Sequence, residues 1–183
     1  MAFYQTLEGP ALDAYRKMLS DLKAKAMRQL SLGEDEIVVR QLRPADLYSA
    51  DASTSDYPIG LTAAVWTNIV NAQTIANNRF VGINGFMVRN VGTAVTGVQN
   101  NLIPYAPSVE QVRVTRKGSV ARYYNVKHIP QFQTQIGYTD EPVTIDENTT
   151  ITIEGLARVA SSIAATFDIL GIVVEKKGIL INP

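Results

Sequence analysis

No cysteine occurs in the 183 residues. Disulfides, thiol nucleophiles and thiolate zinc sites are excluded with it, while the compartment stays open. Histidine is almost as scarce: His128 alone would have to serve any Ser/His/Asp triad or histidine metal site. It stands in "NVKHIPQ", at the end of an expected strand, and reads as a structural or surface residue. No Gly-x-Ser-x-Gly elbow presents a serine nucleophile. A surplus of either charge is missing too, with 17 Lys+Arg against 17 Asp+Glu. A dedicated nucleic-acid binder carries a strong basic excess, and zero net charge favours association over a free monomer. The longest apolar runs fall far short of the roughly 20 residues a membrane helix needs. "MAFYQTLEGPALDAYRK" has no basic stretch followed by an apolar one, so no secretory leader is expected there.

Two textures are present. Over residues 10–31, Leu12, Tyr15, Met18, Leu19, Leu22, Ala26 and Met27 recur at spacings of three and four, the stripe of an amphipathic helix. Pro10 suits its first turn and Gly33 its stop. Arg16, Lys17, Lys23, Lys25 and Arg28 fall on the other face. They read either as a solvated face on a helix packed within its own domain, or as an arm docked on a neighbouring subunit or anionic surface.

After Gly33 short β-rich stretches follow one another. Strands are expected near residues 36–42, 61–72, 80–91, 109–116, 121–128, 131–138, 149–160 and 166–176. In "TTITIEGLARVA", Ile151, Ile153, Gly155 and Ala157 share one face, against Thr150, Thr152, Glu154 and Leu156. Val112 and Val114 likewise oppose Arg113 and Thr115. Such alternation means one buried and one wet face. Turn chemistry separates the strands: Asp56-Tyr57-Pro58, Asn77-Asn78, Arg116-Lys117-Gly118-Ser119, Thr139-Asp140-Glu141-Pro142 and Asp146-Glu147-Asn148. Eight strands without intervening helices point to a mainly β chain, an antiparallel sandwich or barrel. In "FDILGIVVEKKGILINP" the unbroken apolar run from Ile169 to Val174 predicts a last strand buried on both faces. Ile179–Ile181 are expected to pack on the helix or an adjacent subunit. The long connections Leu47–Pro58 and Asn100–Pro107 are expected either to be functional or to touch something else.

Chemistry-bearing patterns are sparse. Gly82, Gly85, Gly92 and Gly97 match neither dinucleotide nor Walker fingerprints, and no helix follows, so they read as bulges or close packing. Asp146, Asn148 and Glu154 resemble part of a calcium loop, but Ile151 takes the position that requires glycine. The carboxylates favour no pair for glycoside hydrolysis. Neither a metal nor a cofactor is expected. Arg113, Arg116, Lys117, Arg122 and Lys127, with Tyr123 and Tyr124 among them, read as solvated turn charges, a single-strand surface or a subunit interface. The only tryptophan, Trp66, is flanked by apolar residues that suggest core packing; a sugar-stacking face is the alternative.

Together the N-terminal helix with basic residues, the run of short strands, the long loops and the closing strand "ATFDILGIVVEKKG" resemble the single jelly-roll capsid proteins of bacterial and archaeal icosahedral viruses. The resemblance covers residues 34–183. It implies an eight-stranded jelly-roll-type β-sandwich over 34–183 preceded by a helical arm over 1–33. It further implies a virion structural protein assembled in the host cytoplasm, with no reaction. Its partners would be copies of itself and other virion proteins, with no membrane span and no sequence-specific nucleic acid contact. Interface residues would be Arg16, Lys17, Lys23, Tyr57, Tyr105, Arg116, Tyr123, Tyr124, Ile179 and Leu180. The alternative is a carbohydrate- or receptor-binding sandwich, such as a phage decoration or adaptor protein.

Overall fold

The computed structural model describes residues 1–47, 57, 61–89, 108–158 and 167–178. Nine strands occur among them: β1 (Phe3–Tyr4), β2 (Ile37–Gln41), β3 (Trp66–Thr74), β4 (Arg79–Val88), β5 (Gln111–Arg116), β6 (Arg122–Asn125), β7 (Ile136–Ile145), β8 (Thr150–Leu156) and β9 (Phe167–Lys176). They form two antiparallel sheets, ordered β1-β7-β4-β9-β2 and β3-β8-β5-β6. Helix α1 (Gly9–Leu30) lies on the first sheet, and a four-residue helix α2 (Pro44–Leu47) follows β2.

Alternation decides which side chains enter the sandwich. Val112 and Val114 of β5 and Ile151 and Ile153 of β8 are buried in the core between the sheets. There they meet Val81 and Ile83 of β4, Val143 and Ile145 of β7, and Val173 of β9. Farther along the same space an aromatic cluster takes over. Phe86 stacks on Phe167 at 5.9 Å and tilts against Tyr124 at 5.3 Å, and Phe3 reaches Phe86 at 6.3 Å. The closing strand β9 is buried on both faces, as its unbroken apolar run requires. Val173 faces the sandwich, while Ile172 and Val174 join Phe80, Met18, Leu22 and Ala26 under the helix.

That second cluster explains the helical periodicity. Met18, Leu22 and Ala26 are buried against the sheet, with Tyr15, Leu19 and Met27 packed around them. Gly82 makes the close approach possible: a Cβ there would stand 2.6 Å from Met18 Sδ and 2.8 Å from Leu22 Cδ1. The helix ends earlier than Gly33. Ser31 takes the left-handed conformation at φ 54°, and the Leu32 N–H donates to the Met27 carbonyl at 3.1 Å.

Three expectations about strands need correcting. Among the described residues the count is nine rather than eight because Phe3–Tyr4, only two residues long, pairs with Thr139 and Tyr138 of β7. A strand expected at 131–138 instead begins at Ile136 and runs to Ile145, with a 3-10 turn at Ile129–Gln131 before it. The expected turn Thr139–Pro142 is a wide bulge inside β7. Ile83 faces Val143 and Gly85 faces Tyr138, so residues 139–142 stand against Asn84 alone. β1 partners only the start of β7, leaving the rest of its outer side as a sheet edge, where Pro142 needs no N–H. β4 is itself bulged at Asn84, which has no partner between Ile83–Gly171 and Gly85–Leu170, so Val81 and Ile83 point inward before it and Phe86 and Val88 after it. The turns at Asn78 (φ 62°), Gly118 (φ 79°) and Asn148 (φ 57°) fall where turn residues predicted them.

The bulge accepts a hydrogen bond from the core. Tyr124, 1% exposed, donates its hydroxyl to the Glu141 carbonyl at 2.9 Å. Burial pushes the Tyr124 phenol up to about 12 from 10.0. Between those values the unfolded phenol has lost its proton and the folded one has not. Stability is therefore fully present below pH 10 and falls as pH rises toward 12. Tyr124→Phe should cost about 1 kcal/mol at pH 7 through the lost hydrogen bond. In urea titrations across the alkaline range it should show a shallower fall than the parent chain. Parallel falls would show that this phenol does not govern the alkaline limb.

Candidate functional site

The outer face of the β3-β8-β5-β6 sheet gathers the most chemistry. Register brings Asn68 of β3 beside Glu154 of β8, Glu154 beside Arg113 of β5, and Arg113 beside Tyr123 of β6. The neighbouring row is Trp66, Leu156, Gln111 and Asn125. Arg113 grips Glu154 through both carboxylate oxygens, Nε to Oε2 at 2.6 Å and Nη2 to Oε1 at 2.5 Å. These bonds, and after them Tyr123, hold the guanidinium more firmly protonated than usual. Its carbon lies 4.7 Å from the centre of the Trp66 ring, and Trp66 meets Tyr123 edge-to-face at 6.0 Å and 70°. Trp66 is therefore half-buried on the sheet's outside, not in the core as its apolar flanks suggested. A bulge follows, Asn68 pairing with Glu154 and Val70 with Ile153, and it turns both Ile69 and Val70 inward instead.

A second cluster, charged and buried, closes one end of the sandwich. Arg40 of β2 donates to both oxygens of Asp46, at 2.7 and 2.6 Å, and to Glu175 of β9 at 2.8 Å. Arg79 of β4 donates to the other Glu175 oxygen at 2.9 Å and lies 3.6 Å from Asp46. Two cations and two anions balance. The Asp46, Arg79 and Glu175 side chains are at most 6% exposed. The hydrogen bond to Asp46, then that to Glu175, raises the Arg40 pKa against the opposing effect of burial.

A third feature is the edge strand β2, paired on one side with β9. Val38 and Val39 are 39% and 38% exposed there.

The residues expected at an interface are dispersed. Arg16 and Lys17 are exposed on α1, Lys23 pairs with Glu34 at 3.2 Å, and Lys25 pairs with Asp146 at 2.7 Å. Arg116 donates to the Thr144 carbonyl at 2.6 Å, which ties the basic turn to its own fold. Tyr123 is exposed beside Trp66. Tyr57 and Tyr124 are each 1% exposed and belong to the core, so neither offers a face to a partner. Tyr57 packs edge-on to Phe167, and Tyr124 points inward because the exposed Tyr123 takes the outward phase. Tyr105, Ile179 and Leu180, the loop Asn100–Pro107 and the tail contact expected of Ile179–Ile181 lie outside the described residues. Asp146 and Glu154 are held by different cations, and His128 is exposed at the 3-10 turn. Among the described residues, no three His, Cys, Asp or Glu side chains gather as a metal ligand set, and no helix is long and apolar enough to cross a membrane.

The buried tetrad and the Trp66–Arg113–Glu154–Tyr123 group were missed from sequence because both are products of register. The outward phases of Arg113 and Glu154 were readable; their adjacency was not. Comparison with known protein families, characterised proteins and solved structures gives no match.

Proposed function

We propose that β2–β9 form a jelly roll and that the protein is a structural subunit of a virion, assembled in the host cytoplasm by side-by-side packing, without catalysis. The reading of the fold rests on the nesting of the strand pairs. β2 pairs with β9, β3 with β8, β4 with β7 and β5 with β6. The outermost strands in sequence pair with each other, then the next, inward to the β5–β6 hairpin. An antiparallel ribbon wound once around a barrel axis has this order, and jelly rolls are built so.

Jelly rolls host many functions, so the weight of the assembly reading falls on the β2 edge. An exposed edge strand with apolar side chains is a template for association, and Val38 and Val39 stand on it. Zero net charge removes the repulsion that would keep copies apart. Size-exclusion chromatography with light scattering, followed by negative-stain microscopy, tests the proposal. The parent chain should form multi-subunit species, and Val38→Glu with Val39→Lys should shift them toward monomer without lowering the melting temperature. A parent chain that stays strictly monomeric at high concentration and binds no other virion protein would sink the proposal.

A further inference from the structure

We propose that the outer face of the β3-β8-β5-β6 sheet is a binding platform for a neutral saccharide, built on Tyr123, Trp66 and the Arg113–Glu154 pair. This site is separate from the β2 edge and does not depend on assembly. A sugar ring presents an apolar C–H face and a rim of hydroxyls. The first is met by an aromatic surface, and Tyr123 is 55% exposed with Trp66 set edge-to-face against it. The second is met by planar polar groups that donate and accept side by side. Asn68, Glu154 and Arg113 line one row, and Gln111 and Asn125 belong to the next.

Charge complementarity selects the occupant. Arg113 is the only cation in these two rows, and Glu154 already neutralises it through two hydrogen bonds. Arg116, the next basic residue along β5, has the inward phase of Val112 and Val114 and donates to the Thr144 carbonyl, so it does not stand on this face. Lys127, exposed beyond Asn125, lies outside these two rows; within them a phosphate polymer or an acidic peptide would find no uncompensated cation, and binding one there would mean breaking the pair. A neutral polyol uses the lone pairs and N–H groups that the pair leaves over. The bidentate pair and the Trp66 contact also hold the polar groups in place beforehand, which lowers the ordering cost of binding.

Trp66 is the only tryptophan, so its emission reports this face alone. The full chain should be screened on an array of neutral oligosaccharides of glucose, galactose, mannose and N-acetylglucosamine. Those retained should then be titrated by tryptophan fluorescence. At least one should give a saturable change in Trp66 emission. Tyr123→Ala should weaken it about tenfold, the cost of one lost stacking partner, while the chain stays folded, because Tyr123 is more than half exposed and gives up only its contact with Trp66. A deoxythymidine oligomer at equal concentration should produce no change. The proposal is overturned if no neutral oligosaccharide is retained, if Tyr123→Ala binds as tightly as the parent, or if the oligomer binds here in place of the sugars.

Discussion

Glu175→Ala should destabilise the chain by about 3–5 kcal/mol, the range for removing one partner from a buried ion pair. Glu175 is the shared acceptor of two guanidinium groups, from Arg40 and Arg79. Without it, two cations face Asp46 alone, and Arg79 is only 5% exposed, so solvent cannot take over. The destabilisation would come from stranded charge rather than lost packing, and a second variant separates the two. Arg79→Met combined with Glu175→Leu removes one cation and one anion and leaves Arg40 with Asp46. That double variant should recover most of the loss, since a buried pair replaced by apolar side chains of similar size is often close to neutral. Urea unfolding of the three chains, compared at equal slope, decides the matter. A Glu175→Ala chain within about 1 kcal/mol of the parent would mean that the tetrad contributes no more than a surface pair does.

Gly82→Leu should lift α1 off the sheet. The helix rests on this position, where even a single added carbon would come within 2.6 Å of Met18 Sδ and 2.8 Å of Leu22 Cδ1. A leucine must displace both residues and with them the contacts to Phe80, Ile172 and Val174. Overpacking of this kind costs about 1–3 kcal/mol where the core can yield. Proteolysis within Gly9–Leu30 should become faster than in the parent chain. The Met18 and Leu22 atoms are ends of movable side chains, so Met18→Ala should restore part of the loss in the Gly82→Leu background. Gly171→Ala differs in kind, because its added carbon would run into the Gly82 backbone oxygen. No side-chain replacement should rescue it. Equal rescue of both glycine variants by Met18→Ala would refute this account of the helix seat.

Much of the layout was legible without coordinates. The three-and-four spacing of Met18, Leu22 and Ala26 named the buried helix stripe. The alternation around Ile151 and Ile153 named the inward face of β8. The unbroken apolar run of β9 announced a strand covered on both sides. Failures came where a local signal was overruled from a distance. Asp140, Glu141 and Pro142 look like the end of a strand, and locally the chain does depart from the ladder. Val143 and Ile145 nevertheless return to the same strand because β4 offers them a register beyond the bulge. Trp66 looked like core by its neighbours, but the phase of β3 turned it outward.

The sequence alone therefore determined most of the elements and most of their buried faces, because hydrophobic periodicity acts over a few residues and is written in their order. It also excluded chemistry that requires cysteine. Tertiary structure alone decided which elements are neighbours. Only the pairing of β2 with β9 and of β4 with β9 brings Arg40 and Arg79 onto one carboxylate. Only the β3-β8-β5-β6 order sets Trp66, Glu154, Arg113 and Tyr123 on one surface. Charge pairs and aromatic contacts between residues 41 to 135 positions apart depend on strand register. Register is set by the packing of the whole sandwich rather than by any short stretch of chain.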